Sequence, residues 1–415
     1  MCRVTVTAAA TIPGLVLTEH EFAVPLDHAD PGGETITVFA REVADPDGRD
    51  RPFLVYLEGG PGSEAPRPTR HPSSPAWLDR ALREFRVLML DQRGTGRSSP
   101  LGHMDGLMPE QQAERMACFR ADSIVRDAEL IREQLGADRW SVLGQSFGGF
   151  CVTAYLSLAP AGLEAALITG GLPAFDVPVD DVYASTFELM AARSRAYYER
   201  YPEDRERVRA LAARLDAEDV RLPNHDRLTS RRLRQLGQVL GFSDGAERLH
   251  ALLELPHDSL AFLHDVQTAV PYSRNPLYSL LQEACWADGQ ATRWAAERVR
   301  PPEYDDPELF FGEHMFPWML DDYGALTPLR GAADLLAQRA WPRLYDRERL
   351  AANEVPAAAV IYANDAYVPR PYSEEAARRI RGLRTWLTDE YEHNGLRVDG
   401  ERILDRLLAL ARGRA

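Results

Sequence analysis

Hydrophobic and polar residues alternate along two early stretches of the chain, residues 15–25 and 35–43. Alternation with a period of two is typical of strands that bury one face. The segment between them contains Asp27-His-Ala-Asp-Pro-Gly-Gly, which is rich in residues that favour turns. The pattern predicts an antiparallel hairpin near the amino terminus.

Short, continuously apolar runs follow at residues 53–57, 86–90 and 140–143, and the first two end in glycine-rich loops. Such runs are expected for parallel strands that are buried on both faces and carry functional loops at their carboxyl ends. Apolar residues then recur at helical spacing over residues 121–135, just before the third run. The sequence predicts a strand–helix–strand unit here and a further strand at residues 163–169.

The pattern changes from about residue 175 to 345, where charged helical segments dominate, for example residues 186–201 and 203–218. This region shows no clear strand pattern, so we interpret it as an inserted helical cap. Beyond it the patterns of a strand, a helix, a second strand and a final helix follow at residues 357–362, 373–381, 384–387 and 399–412. The predicted organisation is a core built from residues 1–174 and 346–415 with a cap at residues 175–345.

Ser146 lies in the sequence Leu143-Gly-Gln-Ser-Phe-Gly-Gly, between the apolar run at 140–143 and a small, apolar stretch at 150–158. The pattern Gly-x-Ser-x-Gly between a strand and a helix is typical of a nucleophile elbow, a tight turn that exposes the serine hydroxyl. Glycines suit the turn because a helix and a neighbouring strand pass close to it. The sequence therefore predicts an α/β-hydrolase fold, with a mostly parallel, doubly wound sheet and an inserted helical cap domain.

A serine nucleophile needs a base within hydrogen-bond reach and a third group that orients the base. In this fold the order along the chain is Ser, then Asp or Glu, then His. Asp365 follows the predicted strand at 357–362, and His393 follows the strand pattern at 384–387. Taken singly, a turn aspartate and a surface histidine are equally good interpretations. Their joint placement and order favour a catalytic set of Ser146, Asp365 and His393.

Acyl transfer also needs N–H donors for the developing oxyanion. One predicted donor is the backbone N–H of Phe147, the residue after the nucleophile, and the other comes from the loop Glu58-Gly-Gly-Pro-Gly. Gly60 is our choice for the second donor and Gly59 is the next candidate. An ordinary tight turn is the alternative interpretation of this loop.

The composition of the chain limits its possible binding partners and its expected cellular location. The 415-residue chain has a formal net charge of −15, which argues against general affinity for nucleic acid or anionic membranes. Its 4 cysteines have no paired spacing, so neither a zinc site nor a disulfide framework is indicated. No stretch approaches the roughly 18 apolar residues of a membrane span, and no apolar leader is evident. We expect a cytoplasmic enzyme without a metal or other cofactor, and the oligomeric state stays open.

Four motifs, in this order, carry a family resemblance: Gly59-Gly-Pro-Gly, Asp91-Gln-Arg-Gly-Thr-Gly-Arg-Ser, Gly144-Gln-Ser-Phe-Gly-Gly and Glu392-His-Asn-Gly-Leu-Arg. The chain resembles the prolyl aminopeptidases (proline iminopeptidases) of the α/β-hydrolase fold, most of all their longer bacterial form. The resemblance covers the core on both sides of the cap. One departure is Glu58, where many relatives have histidine. The resemblance implies that proline is released from peptides with a free N-terminal proline, through an acyl-enzyme on Ser146.

Such an enzyme must hold a charged amine beside the scissile carbonyl, which carboxylates from the cap can do. By resemblance to the paired cap glutamates of the family, Glu283 and Glu313 are the candidates for this role. Both lie among aromatic residues, including Trp286 and Phe316, which suit an apolar pyrrolidine ring. The alternative is that these glutamates are simply solvated on a helical cap.

The motifs leave other functions open, because a fold does not determine a substrate. The alternatives are an aminopeptidase of other N-terminal specificity, an esterase or lactonase, and a non-catalytic ligand-binding protein. Structural roles are favoured for three further residues: an ion-pair or backbone-bonded network for Asp91 and Arg93, and a core position for Cys151.

Overall fold

The main structural element is a nine-stranded mixed sheet. The computed structural model describes residues 4–102, 104–270 and 272–414. Within these ranges the strands are β1 (Val4–Ile12), β2 (Leu15–Pro25), β3 (Thr35–Ala44), β4 (Phe53–Leu57), β5 (Thr69–Arg70), β6 (Ser73–Ser74), β7 (Arg86–Leu90), β8 (Trp140–Gln145), β9 (Leu163–Thr169), β10 (Ala357–Tyr362) and β11 (Leu383–Thr388). The sheet order is β1-β2-β3-β7-β4-β8-β9-β10-β11, and β5 pairs separately with β6.

The helices fall into two groups, those that flank the sheet and those between β9 and β10. The helices outside the β9–β10 region are α1 (Leu78–Leu82), α2 (Pro109–Ala117), α3 (Ala121–Gln134), α4 (Phe147–Leu158), α15 (Arg370–Arg379), α16 (Gly395–Val398) and α17 (Gly400–Ala411). The helices between β9 and β10 are α5 (Val179–Arg200), α6 (Pro202–Ala217), α7 (Ser230–Arg234), α8 (Gly245–Leu253), α9 (Leu260–Ala269), α10 (Pro276–Leu281), α11 (Ala295–Val299), α12 (Met319–Asp322), α13 (Arg330–Gln338) and α14 (Arg347–Ala351).

The pairing of neighbouring strands changes once across the sheet, from antiparallel to parallel, at β7. β1, β2, β3 and β7 pair antiparallel with one another in turn, whereas β7, β4, β8, β9, β10 and β11 are joined by parallel ladders. The carboxyl ends of parallel strands meet at one edge of a sheet, which is where ligands bind in open α/β sheets. The loops that follow β4, β8, β10 and β11 therefore lie side by side. The predicted fold class is confirmed.

Four of the parallel strands, β4, β7, β8 and β10, are buried almost throughout, as the continuous apolar runs predicted, whereas the edge strand β11 is largely exposed. Alternate residues belong to different apolar clusters: Val55 and Val142 face the cluster that includes α3 and α4, whereas Leu54 and Leu143 face the cluster that includes α1 and α17. This sandwiched sheet is a rigid base for the loops at its carboxyl edge.

Most predicted elements occur within a few residues of their predicted bounds. The predicted helix at 373–381 begins earlier, at Arg370, because Pro369 and Pro371 suit the first turn of a helix. β1 was not predicted; it is an edge strand paired only with β2, and from Thr5 to Thr11 its side chains are exposed. A strand with no buried face has no reason to show a hydrophobic alternation.

Between β9 and β10 the described part of the chain consists of helices joined by loops, with one isolated bridge between Arg221 and Arg227 and no named strand. One continuous apolar cluster contains both sheet residues and residues of this region, for example Phe150 and Trp286. The domain boundaries at 174/175 and 345/346 therefore stay a prediction. Among the described residues, no helix combines the length and the apolar character needed to cross a bilayer.

Candidate active site

Ser146 occupies a strained turn between β8 and α4. Its backbone angles are φ 54° and ψ −123°, a conformation that non-glycine residues rarely adopt. The turn is possible because its neighbours lack side chains: a Cβ on Gly144 would overlap the Gly148 carbonyl, and a Cβ on Gly148 would overlap the Leu57 carbonyl. The elbow thus depends on close backbone packing between β8, α4 and β4.

Replacing Gly148 with alanine should disrupt this packing. We expect Gly148→Ala to lower the free energy of unfolding by about 3 kcal/mol or more, because backbone rather than a flexible side chain blocks the new methyl group. Chemical denaturation of the wild type and the variant would measure this loss of unfolding free energy. Gly102→Ala is the matched control, since a Cβ there meets nothing within 4 Å and should change stability by less than about 0.5 kcal/mol. Equal, small effects in both variants would contradict this account of the elbow.

Three side chains from three loops form one hydrogen-bonded series. Ser146 Oγ lies 2.9 Å from His393 Nε2, and His393 Nδ1 lies 2.7 Å from Asp365 Oδ2. The other carboxylate oxygen, Asp365 Oδ1, accepts hydrogen bonds from the backbone N–H groups of Tyr367 and Val368, at 2.9 and 3.0 Å. Because the carboxylate is fixed in this way, the imidazole presents Nε2 to the serine as an acceptor.

The surroundings of His393 favour its protonated form. Burial opposes a charge on the ring, but the nearby carboxylates, above all Asp365, together outweigh burial, and the pKa of His393 lies above its usual value. The Glu313 carboxylate acts in the same direction and the Arg397 guanidinium acts against it. The ring can therefore accept and hold a proton during a reaction.

The loop after β4 brings backbone N–H groups close to Ser146. A Cβ on Gly59 would lie 3.0 Å from Ser146 Cβ, which shows how near the loop passes. The Gly59 N–H is already used, since it donates to the Glu58 carboxylate at 2.8 Å. Within the described ranges the Gly60 N–H donates to no protein group, and the Phe147 N–H belongs to the first turn of α4, where helical acceptors are lacking. Gly60 and Phe147 thus have N–H groups to offer an oxyanion.

A cavity of about 280 Å³ lies above these loops. Residues from both the sheet loops and the region between β9 and β10 line it: Gly59, Gly60, Ser63, Gln145, Ser146, Gln238, Val239, Phe242, Arg248, Thr268, Ala269, Tyr272, Asn275, Tyr278, Glu313, His393, Asn394 and Arg397. It has the mixed apolar and polar lining typical of a small-ligand site.

The chain is similar to known proteins of one fold and one family. The family model described as the alpha/beta hydrolase fold matches residues 52–397. The chain is 47% identical to "Proline iminopeptidase" of Aeromonas sobria, over 97% of this chain and 98% of that protein. This chain belongs to the proline iminopeptidase family. A second family member, "Proline iminopeptidase aneH" of Aspergillus aculeatus, is 33% identical over 95% of this chain and 94% of its own length.

A weaker similarity is found to a solved structure. A thermophilic esterase from Thermogutta terrifontis covers 95% of this chain and 98% of its own, with 14% identity and a TM-score of 0.45.

Of the four cap residues predicted for this family member's substrate site, Glu313 lines the cavity. Its carboxylate accepts a hydrogen bond from Gln282 Nε2 at 2.9 Å, and the Tyr278 hydroxyl is a second donor. Burial raises its pKa above the usual range for glutamate. The next residue, His314, anchors the segment by stacking on Phe187 at 3.9 Å between ring centroids. A fixed, poorly solvated carboxylate therefore faces the same cavity as Ser146.

The structure does not bring Glu283 to the cavity. Its two carboxylate oxygens accept hydrogen bonds from the backbone N–H groups of Ala295 and Ala296, at 3.1 and 3.0 Å. Burial raises its pKa to about 7. These contacts at the start of α11 give Glu283 a structural role, so its assignment to amine binding is corrected. Sequence could not separate the two glutamates, because both stand among aromatic residues in helical segments.

Trp286 and Phe316 also stay outside the cavity lining. Trp286 packs edge-on against Phe150 of α4, with 4.8 Å between ring centroids, and Phe316 stacks with Trp318 at 5.4 Å. Both are buried in the apolar cluster shared by the sheet and the cap region. The predicted substrate contact for these two rings is therefore replaced by a packing role.

The cavity contains residues that the sequence reasoning missed, above all Tyr272, Tyr278, Gln238 and Arg397. Tyr272 and Tyr278 stack with 5.8 Å between centroids, and Gln238 donates to the Tyr278 hydroxyl at 2.7 Å. The sequence offered one indication for Arg397: it lies four residues after His393, in the short helix that follows the histidine loop. No comparable pattern marks the tyrosines.

Asp91 and Arg93 support the active-site loops, in line with the structural reading of their motif. Asp91 accepts hydrogen bonds from the backbone N–H groups of Ala65 and Arg97, at 3.2 and 2.9 Å. Arg93 forms a buried ion pair with Asp127, with NH2 2.5 Å from Oδ1. The loop between them is tied to the loop after β4, because Gln92 donates to the Glu58 carbonyl at 2.9 Å.

Proposed function

We propose that this chain is an aminopeptidase that releases N-terminal proline from peptides by acyl transfer to Ser146. The observation that carries the proposal is the juxtaposition of the Ser146–His393–Asp365 series with the Glu313 carboxylate at one cavity. The near full-length identity to a protein named proline iminopeptidase supports the choice of substrate. We assign Ser146, His393 and Asp365 as nucleophile, base and orienting group.

In the first step Ser146 Oγ bonds to the carbonyl carbon of the proline residue while its proton moves to His393 Nε2. The carbonyl oxygen becomes an oxyanion, which the N–H groups of Gly60 and Phe147 stabilise. When the carbon–nitrogen bond breaks, the proton on Nε2 passes to the leaving amine. The product of this half-reaction is a prolyl ester of Ser146 and a shortened peptide.

The second half-reaction repeats these steps with water. His393 Nε2 takes a proton from water as its oxygen bonds to the ester carbon, and the same N–H pair holds the second oxyanion. Collapse breaks the bond to Ser146 Oγ, which recovers its proton from Nε2. Free proline leaves and the resting arrangement returns.

Selection of a free amine is assigned to Glu313. The N-terminal nitrogen of a proline peptide is protonated and carries two N–H donors, and its charge needs a counter-ion when it enters a poorly solvated cavity. Among the described lining residues other than His393, the charged groups are Glu313, Arg248 and Arg397, and Glu313 is the anion. Tyr272 and Tyr278 supply ring surface for the apolar pyrrolidine.

A substrate panel tests the proposal. Purified protein should hydrolyse a proline arylamide, with kcat/KM about 100-fold or more above that for the N-acetyl-proline arylamide, because acetylation removes the charge that pairs with Glu313. An alanine arylamide and a short-chain ester are measured in parallel. Turnover of the ester with no turnover of the free proline arylamide would replace the proposal with an esterase, and equal turnover of the free and acetylated arylamides would contradict the role of the free amine.

A further inference from the structure

The charged groups of the cavity are of both signs. Glu313 is the anion that we assign to the substrate amine, and the cations Arg248 and Arg397 line the same cavity. The protonation of His393 responds to both signs, since Glu313 raises its pKa and Arg397 lowers it. The imidazole therefore stands within the electrostatic reach of an anion and of a cation, and one amine-binding anion leaves the two arginines unexplained.

Among the described residues Arg397 contacts one protein acceptor, but most of its hydrogen-bond donors remain free. Its NH2 group lies 3.3 Å from Glu58 Oε1, the oxygen that also accepts the Gly59 N–H. In the described part of the chain this is the one protein acceptor that its guanidinium contacts, and the side chain is 59% exposed. A guanidinium carries five N–H donors, so several face the cavity or solvent. The contact with Glu58 orients the guanidinium and leaves other N–H donors free to bind a ligand.

Arg248 has still weaker contacts with protein acceptors. Its nearest carboxylate among the described residues is Asp244, one turn earlier on the same helix region, at 3.7 Å, which is too long for a hydrogen bond. Its side chain is 52% exposed. The cavity thus contains two guanidinium groups with free donors.

The chemistry of the reaction places the leaving group on the His393 side of the cavity. His393 Nε2 must give its proton to the leaving nitrogen, so the residue that follows proline lies on the His393 side of the scissile bond. Asn394 follows this histidine directly, Arg397 lies four residues after it, and both line the cavity. Arg397 also contacts Glu58, which adjoins the oxyanion loop. Arg397 is therefore the cationic lining residue that adjoins both the histidine loop and the oxyanion loop.

We infer that Arg397, assisted by Arg248, binds a carboxylate on the residue that follows the N-terminal proline. The inference rests on the proposed function. A substrate that fits this site carries two opposite charges on adjacent residues: the cationic amine of proline binds Glu313, and a carboxylate on the second residue binds Arg397. A dipeptide has its α-carboxylate at this position, and a longer peptide offers one only as an aspartate or glutamate side chain. The site therefore favours dipeptides and peptides with an acidic second residue.

Two pairs of substrates distinguish these sources. Prolyl-alanine is compared with prolyl-alanine amide, and prolyl-aspartate amide with prolyl-asparagine amide. We expect kcat/KM about tenfold higher for the carboxylate-bearing member of the first pair, from a charge-assisted and partly exposed interaction. The second pair shows whether a side-chain carboxylate raises kcat/KM as much as the α-carboxylate does. A ratio near one in both pairs would overturn the inference.

The variant Arg397→Gln removes the charge and keeps hydrogen-bonding capacity. The acid-to-amide ratio should fall to about twofold or less, and Arg397→Lys should recover part of it, because a lysine keeps the charge but not the fork of donors. The matched control is Arg402→Gln, which removes an exposed arginine that pairs with Glu390 outside the cavity; its ratio should equal that of the wild type.

The readout separates substrate binding from a loop-bracing role. If Arg397 only braces Glu58, Arg397→Gln lowers kcat/KM for acid and amide by the same factor, the ratio is unchanged and the inference fails. A proline arylamide, which lacks a carboxylate, is measured alongside. Failure of the wild type on that arylamide would reject the proposed function, whereas turnover of the arylamide with acid-to-amide ratios near one would reject the role of Arg397 alone.

Discussion

Ser146→Ala should lower kcat/KM for a proline arylamide by at least about 10,000-fold, because it removes the atom that forms the acyl bond. The new methyl group fits the space of the hydroxymethyl group, so the fold should be kept. Rates would be followed by release of the arylamine at enzyme concentrations high enough to detect the residual reaction.

A fluorophosphonate probe provides the control for this variant. Wild-type protein should be labelled at Ser146, and Ser146→Ala should show the wild-type circular dichroism spectrum and melting temperature but no label. Undiminished turnover by folded Ser146→Ala, or labelling at another serine with activity retained, would contradict the assignment of the nucleophile.

Glu313→Gln is expected to reduce kcat/KM for the free proline arylamide by about 100-fold, since the substrate ammonium then enters the cavity without a counter-ion. The reaction of the N-acetyl-proline arylamide should be much less affected, so the preference for a free amine should largely disappear. Glu283→Gln is the matched control: its carboxylate binds the backbone of α11, so this variant should lose stability but keep the wild-type preference. A retained preference in Glu313→Gln would move the amine site elsewhere.

The pH profile gives the same variant an independent test. His393 must be neutral to accept the serine proton, so kcat/KM falls as the pH drops through the His393 pKa. That pKa is raised in the folded protein, because the Asp365 and Glu313 carboxylates together outweigh the opposing effect of burial. Removing the Glu313 charge should lower the pKa, so the acid limb of Glu313→Gln should lie at lower pH than that of the wild type. An unshifted or higher acid limb would show that Glu313 does not act on His393.

Much of the fold followed from local patterns. β4, β7 and β8 are continuous apolar runs because parallel strands are buried on both faces, and such runs are readable without tertiary information. The Ser146 turn was also visible, since its glycines are required by backbone contacts that recur wherever this turn occurs. The meeting of Asp365 and His393 with Ser146 could be predicted because the carboxyl ends of parallel strands converge, so the order of loops along the chain indicates which loops meet.

The cap region is where sequence reasoning reached its limit. Glu283 and Glu313 each stand near aromatic residues, and nothing in their local sequence distinguishes a carboxylate that binds a helix amino terminus from one that faces a cavity. Trp286 and Phe316 were predicted at the substrate for the same reason, yet both are buried in packing contacts. Helical segments of mixed polarity can dock in several rotations, and each rotation exposes different side chains to the cavity.

The sequence by itself determined the fold class, the family and the loops that carry Ser146, Asp365 and His393, because strand burial, turn sterics and loop order are encoded locally and in chain order. Tertiary structure alone decided that Glu313 rather than Glu283 lines the cavity of Ser146, and that Tyr272, Tyr278 and Arg397 line it too. The physical reason is that the described part of the region between β9 and β10 has no strand ladder to fix the direction of its side chains. Their orientation is set by packing against the core, which brings together residues far apart in the sequence.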